Sequence, residues 1–301
     1  MELTSKDLRV IELMKQYERQ DLEFNLKEFH NLIDTLLYLN ETLRLEKTQI
    51  QSWQKYSETL LFKFSLHALT LHDILSGMTL KSTYFPKELN GAKVVDISSA
   101  KVVLRSQIET LLMYHHIYVN PSDDDEKQLK YHAWIYSALL QRSKFPAATE
   151  QGKAQKSKDQ EEIVKIKLII QSLTSFKKLS QKQQTALIDT GSGKLFNHWA
   201  TILRETGFTE KHAISIMYTY LSMYAHSEGL SAIQLNSGMF KYEKNKGDAN
   251  LDLHTSKLLV CLMISAIVKL FKPVEEKFKT LDENLQTDIQ FYNKLALSAR
   301  H

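Results

Sequence analysis

The segment Ser98–Val119, SSAKVVLRSQIETLLMYHHIYV, decides how the chain folds. Val103, Leu104, Ile108, Leu111, Leu112, Met113, Tyr114 and Ile117 cover nearly the whole circumference of a helix. A helix that is apolar on most sides belongs in the middle of a bundle. One polar stripe interrupts it. At about 100° per residue, Arg105, Glu109, Leu112 and His116 fall within about 60° of one another. A charge in such surroundings is either paired or very costly, and Glu109, one turn on, is within reach of Arg105. The stripe is thus either a structural buried ion pair or one wall of a polar cleft that holds an anion or a catalytic group.

Further helices extend on both sides of this segment. Phe29, Leu32, Ile33, Leu36, Leu37 and Leu43 form a helical stripe over about Asn25–Lys47, preceded by a helix at about Ser5–Glu23 and followed by one at about Thr48–Ser76. Gly77, Pro86 and Gly91 break the chain, and Asp96, Ser98 or Ser99 can cap the next helix. Beyond it, Arg142–Asp159 is polar, basic and short of large apolar groups, which predicts a linker or flexible loop near residues 143–159. Helices are then expected at about Gln160–Lys178, Gln181–Ile188, up to Gly207, Glu210–His226 (capped by Thr209), Leu251–Phe271 and Pro273–Leu297. A loop is expected at SGMFKYEKNKGDAN, residues 237–250. With only 9 Gly and 4 Pro in 301 residues, turns are few. No alternating strand pattern or internal repeat stands out. The expectation is an all-α, multi-helix bundle of about ten helices, with residues 1–80 as an N-terminal helical extension and 92–297 as the core.

The net charge of +4 permits a basic patch without demanding nucleic acid. A single cysteine, Cys261, rules out an intrachain disulfide, which fits a reducing, cytoplasmic setting. The N-terminus lacks the apolar stretch of a signal peptide. The longest apolar run, near Leu258–Val268, is short of the roughly 20 residues that cross a bilayer, so no membrane association is expected.

Several motifs resemble chemistry without its requirements. GSGK at Gly191–Lys194 lacks the upstream glycine, the following Ser or Thr, and the preceding strand of a phosphate loop. His67 and His72 are five apart, and His115 and His116 are adjacent, so neither pair has zinc-ligand spacing. Asp123, Asp124 and Asp125 lack the spaced ligands and tight glycine turn of a calcium loop. They read instead as a helix start that favours the positive end of the dipole. No metal and no cofactor is expected.

A second segment, YTYLSMYAHSEG (Tyr218–Gly229), places Tyr218, Ser222 and His226 at successive i+4 steps along one helix edge. A Ser–His pair suggests nucleophilic catalysis, but serine nucleophiles sit on sharp turns, not in mid-helix. Ser222 is expected to bond the backbone one turn back. His226 is expected at the helix C-terminus, where its cationic form is favoured, facing the Arg105 stripe.

Together, AKVVLRSQIETLLMYHHIYV (Ala100–Val119) and HWATILRETGFTEKHAISIMYTYLSMYAHSEG (His198–Gly229) resemble a family of bacterial helical domains of unknown function grouped near the HEPN superfamily. The resemblance covers roughly Ala92–Leu235. It implies a HEPN-like core and a role in bacterial defence, toxin–antitoxin or stress systems. Active members of that superfamily are metal-independent endoribonucleases that use an Arg and a His separated by four to six residues on one helix, usually in a dimer cleft. No Arg in this chain has a His at that spacing. What carries over is a spatial version. Arg105 would stabilise a phosphate and His226 would be the acid–base group, with Glu109, Tyr218 and Ser222 around them. RNA is the implied partner, with a protein partner or a homodimer as the other. Lysines at 153, 156, 158, 241, 244 and 246 beside the site would favour RNA. The competing reading is a non-enzymatic helical interaction module whose polar centre is structural. A small-molecule enzyme with a pocket between helices is a third reading, with no motif behind it.

Overall fold

The computed structural model describes residues 4–18, 21–46, 48–84, 86–87, 90–226, 228–238 and 242–298. These form 14 α-helices and a single two-stranded ribbon, so the chain is all-α. It divides into two compact units, the first from residues 1–49, 58–111 and 207–301, the second from 50–57 and 112–206.

The first unit contains α1 (Ser5–Tyr17), α2 (Leu22–Leu45), α3 (Ser57–Ser76, from Glu58), the ribbon β1 (Met78–Thr79) and β2 (Lys93–Val94), and α4 (Ile97–Tyr114) up to Leu111. It resumes with α10 (Ala213–Ala225), α11 (Gly229–Gly238), α12 (Tyr242–Leu270), α13 (Lys272–Phe278) and α14 (Glu283–Ser298). The N-terminal helices therefore share a unit with the C-terminal ones. α1 packs on α14, and α2 packs on α12 and α13. The antiparallel ribbon pairs Met78 with Val94 and Thr79 with Lys93 across the Gly/Pro break, where the sequence shows no strand signal.

α12 is the centre of this unit and packs on α2, α11, α13 and α14. Leu253, Leu259, Val260, Cys261, Met263, Ile264 and Ile267 are fully buried on it, covering every side. Its segment Asn245–Leu270 is long and apolar enough to cross a membrane by length and composition, but 83% of that window is buried inside the protein. The helix also buries polar groups, and four of them, Asn250, Asp252, Ser256 and Lys257, bond to a neighbouring helix. Asp252 accepts two hydrogen bonds from Lys101 Nζ of α4, at 3.0 and 3.1 Å. Ser256 donates to Gln107 Oε1 of α4 at 2.6 Å. Asn25 of α2 donates to Asn250 Oδ1 at 3.2 Å, and Lys257 donates to Glu28 of α2 at 2.6 Å.

The second unit contains a 3₁₀ turn at Ser52–Gln54, a π-helical turn at His115–Val119, α5 (Asp124–Ser143), α6 (Glu150–Ser172), α7 (Thr174–Lys177), α8 (Gln181–Thr190) and α9 (Trp199–Glu205). Its core joins Leu129, Ala133 and Tyr136 of α5 to Ile163, Ile166 and Ile170 of α6, with Phe176 and Leu187. The aspartate run starts helices, as expected. Asp123 caps α5 by accepting from Glu126 N, and Asp125 accepts from the Thr174 and Ser175 amides that open α7.

Three expectations are corrected. The linker expected near 143–159 is confined to 144–149, because Thr149 caps α6 and Arg142 holds the nearly buried Asp159 in a two-pronged pair at 2.5 and 2.6 Å. The loop expected at 237–250 is largely helix, with α11 running to Gly238 and α12 starting at Tyr242, while residues 239–241 lie outside the described residues. α10 is capped not by Thr209 but by His212, whose Nδ1 accepts from Ile214 N at 3.2 Å.

Two stability predictions follow from α12. Lys101 and Asp252 have 1% and 0% side-chain exposure. Burial, opposed by Lys101, raises the Asp252 carboxyl to about 6. Lys101→Met or Asp252→Leu alone leaves a buried charge unpaired and should cost about 3–5 kcal/mol, whereas the double variant should recover most of that loss. Denaturant unfolding of the four proteins measures the cycle. His254 is buried, neither of its ring nitrogens has a partner, and burial together with Lys257 lowers it to about 4. A histidine depressed in the folded state contributes stability above its unfolded value of about 6.5 and loses it as pH falls. His254→Leu should therefore gain about 3 kcal/mol on the wild type between pH 6.5 and 4. Parallel unfolding curves across that range would contradict the assignment.

Candidate functional site

The polar stripe of α4 climbs from core to surface. Successive i+4 steps drift by about 40° around a helix, and side-chain exposure rises accordingly, from 1% at Lys101 to 16% at Arg105 and 32% at Glu109. Asp96 fixes the start of the helix by accepting from Ser99 N at 3.0 Å. Leu104, Ile108 and Leu111 bury the remaining faces.

α10 supplies the opposite wall. Its apolar stripe, Ile214, Leu221 and Tyr224, is buried, and Tyr218 lies at the edge with 8% exposure. The Tyr218 hydroxyl donates to Glu109 Oε1 at 3.0 Å, and Arg105 Nε donates to the same oxygen at 3.2 Å. The guanidinium carbon lies 5.3 Å from the Tyr218 ring centroid, in cation–π range. His226, exposed at the C-cap of α10, brings Nε2 to 3.2 Å from Arg105 Nη1.

Four of the five expected site residues, Arg105, Glu109, Tyr218 and His226, therefore meet within the first unit. Ser222 does not join them by its hydroxyl, which donates to the carbonyl of Tyr218 at 3.0 Å, one turn back. An uninterrupted helix would place His116 on the same stripe. The π-helical turn intervenes, and His116 is fully buried in the second unit with Nδ1 at 3.0 Å from Glu205. Burial lowers its pKa against the pull of Glu205.

The electrostatics define each group's form. Burial and the Glu109 carboxylate push the Tyr218 hydroxyl up to about 12, so it is a neutral donor at physiological pH. Burial works against the Arg105 charge, but Tyr218 and Glu109 outweigh it and the pKa is raised. A guanidinium has donors and no acceptor. In this contact His226 Nε2 can only accept, which requires the tautomer that carries its proton on Nδ1. The result is a partly exposed guanidinium whose Nη1 faces the Nε2 of an exposed histidine.

The sequence reading missed a second array one turn earlier. Lys101 Nζ lies 5.1 and 5.4 Å from the ring centroids of Tyr220 and Tyr224. Both phenols donate to Gln234 Oε1, at 3.0 and 2.6 Å. The i+4 spacing of Lys101, Arg105 and Glu109 was a usable signal for it. Asp252 falls inside the expected helix Leu251–Phe271, but nothing in the sequence marks it as buried. Among the described residues no three His, Cys, Asp or Glu side chains gather in metal-ligating geometry.

No protein-family model, no curated protein and no solved structure matches the chain.

The tautomer is directly measurable. Long-range ¹H–¹⁵N correlation of the His226 ring at neutral pH should show Nε2 unprotonated and Nδ1 protonated, and Arg105→Ala should remove that preference. A predominant Nε2–H form in the wild type would mean that the Arg105 contact is not made in solution.

Proposed function

We propose that this protein is a HEPN-like helical protein that works in the cytoplasm in a bacterial defence, toxin–antitoxin or stress system and binds RNA at the Arg105–His226 site. The observation that carries the reading is the 3.2 Å approach of Arg105 Nη1 to His226 Nε2 at an exposed edge. The Arg and His that HEPN ribonucleases carry on one helix are supplied here from two. Arg105 suits a phosphate because its planar fork of donors matches two oxygens at once. An arriving phosphate oxygen takes the place of His226 Nε2 as acceptor and leaves that nitrogen beside the ribose.

Cleavage at such a site needs no metal ion. His226 Nε2 takes the proton of a 2′-hydroxyl, the 2′-oxygen bonds to phosphorus, and the bond to the 5′-oxygen breaks. The imidazolium returns its proton to the departing oxygen. Arg105 holds the charge on the non-bridging oxygens, and Tyr218 with Glu109 keeps the guanidinium in place. Lys153, Lys156 and Lys158 are exposed along α6 of the second unit. Lys246 lies on α12, while Lys241 and the side chain of Lys244 lie outside the described residues.

Fluorescence anisotropy with a labelled single-stranded RNA tests the binding. Affinity should fall with salt, and Arg105→Ala should weaken it by about tenfold or more at unchanged Tm. His226→Ala should leave affinity within about threefold and abolish any product with a 2′,3′-cyclic phosphate end. The competing scaffold reading draws on the same hydrogen bonds, since all four groups already have protein partners. Folded Arg105→Ala and His226→Ala proteins that keep the full RNA affinity and every cleavage product would favour the scaffold and remove the RNA site.

A further inference from the structure

A cavity of about 410 Å³ opens in the first unit between the ribbon, the start of α4 and the α10–α12 segment. That volume lies within the roughly 300–1,000 Å³ typical of small-molecule sites. Leu80, Val94, Val95 and Leu235 line it with apolar surface. Its polar lining carries two carboxylates, Asp96 and Asp248, while no Lys, Arg or His lines it among the described residues. Asp96 caps α4 through Oδ1. The Tyr224 hydroxyl, also at the wall, lies 2.6 Å from Gln234 Oε1 and 3.2 Å from the Tyr220 hydroxyl.

The nearest buried cation does not offset this charge. Lys101 is held by Asp252 and stacked against Tyr220 and Tyr224. Burial first, and then Tyr220, Asp248 and Asp252, raise the Tyr224 hydroxyl, and Asp248 adds to the burial that raises Asp252. Apolar walls with two carboxylates and no cation complement a molecule with an apolar body and a positive end. We infer that this cavity is a binding site for a small organic cation, an amine on an aromatic or branched aliphatic body, with the ammonium between Asp96 and Asp248. The site is separate from the Arg105–His226 cluster and does not depend on the RNA reading.

Isothermal titration of the full chain with tryptamine, and with indole-3-acetate as its anionic counterpart, tests this. Tryptamine should bind at one site per chain and the acid should not. Asp248→Asn should weaken tryptamine by about tenfold, because a charge-assisted hydrogen bond becomes a neutral one. Asp96→Asn keeps a good helix cap and should weaken it to a similar extent, so it decides the matter alone if Asp248→Asn fails to fold by circular dichroism. Absence of tryptamine binding, equal binding of amine and acid, or unchanged affinity in the folded variants would overturn the assignment.

Discussion

The buried pair between Lys101 and Asp252 sets how α4 meets α12 in the first unit. Neither charge tolerates a dry interior alone, so α4 must present Lys101 to α12, and α12 must begin early enough to carry Asp252. Gln107 and Ser256 make a second link between the same two helices. Once the rotation of α4 is set in this way, helix geometry decides the rest. The next residue of the stripe, Arg105, lies at the edge of the core, and the one after, Glu109, is a third exposed. The polar edge of α10 then meets them with Tyr218 and His226.

The stripe of α4 thus joins two polar arrays of different character. The inner one, Lys101 with Asp252, Tyr220, Tyr224 and Gln234, is built on a buried ion pair and reaches the cavity wall through Tyr224 and Gln234. The outer one, Arg105 with Glu109, Tyr218 and His226, has the same composition of cation, carboxylate and phenol but adds an exposed imidazole. Burial separates their roles. A lysine at 1% exposure can only hold a partner already in the protein, whereas a guanidinium at 16% beside an exposed histidine is open to an arriving anion.

Much of this was legible in the sequence. The near-continuous apolar circumference of Ser98–Val119 required a surrounding bundle, and the i+4 edge of Tyr218, Ser222 and His226 placed these residues on one face. Ser222 bonds its own backbone, as its mid-helix position implies. What escaped reading was non-local or depended on backbone irregularity. Nothing in the periodicity announces the π-helical turn at His115–Val119. The polar residues 142–159 and 237–250 lack the apolar stripe that marks a helix. Capping by Thr149 and the Arg142–Asp159 pair extend the first into α6, and the buried polar contacts of α12 lie just beyond the second.

The central claim, that α4 and α10 together present Arg105 and His226 to an RNA phosphate, is tested most directly by ultraviolet crosslinking of bound RNA followed by mass spectrometry of the adducts. The account predicts adducts on Tyr218, His226 or their immediate neighbours in α10, lost in Arg105→Ala. Adducts confined to other parts of the chain, and unaffected by Arg105→Ala, would contradict it.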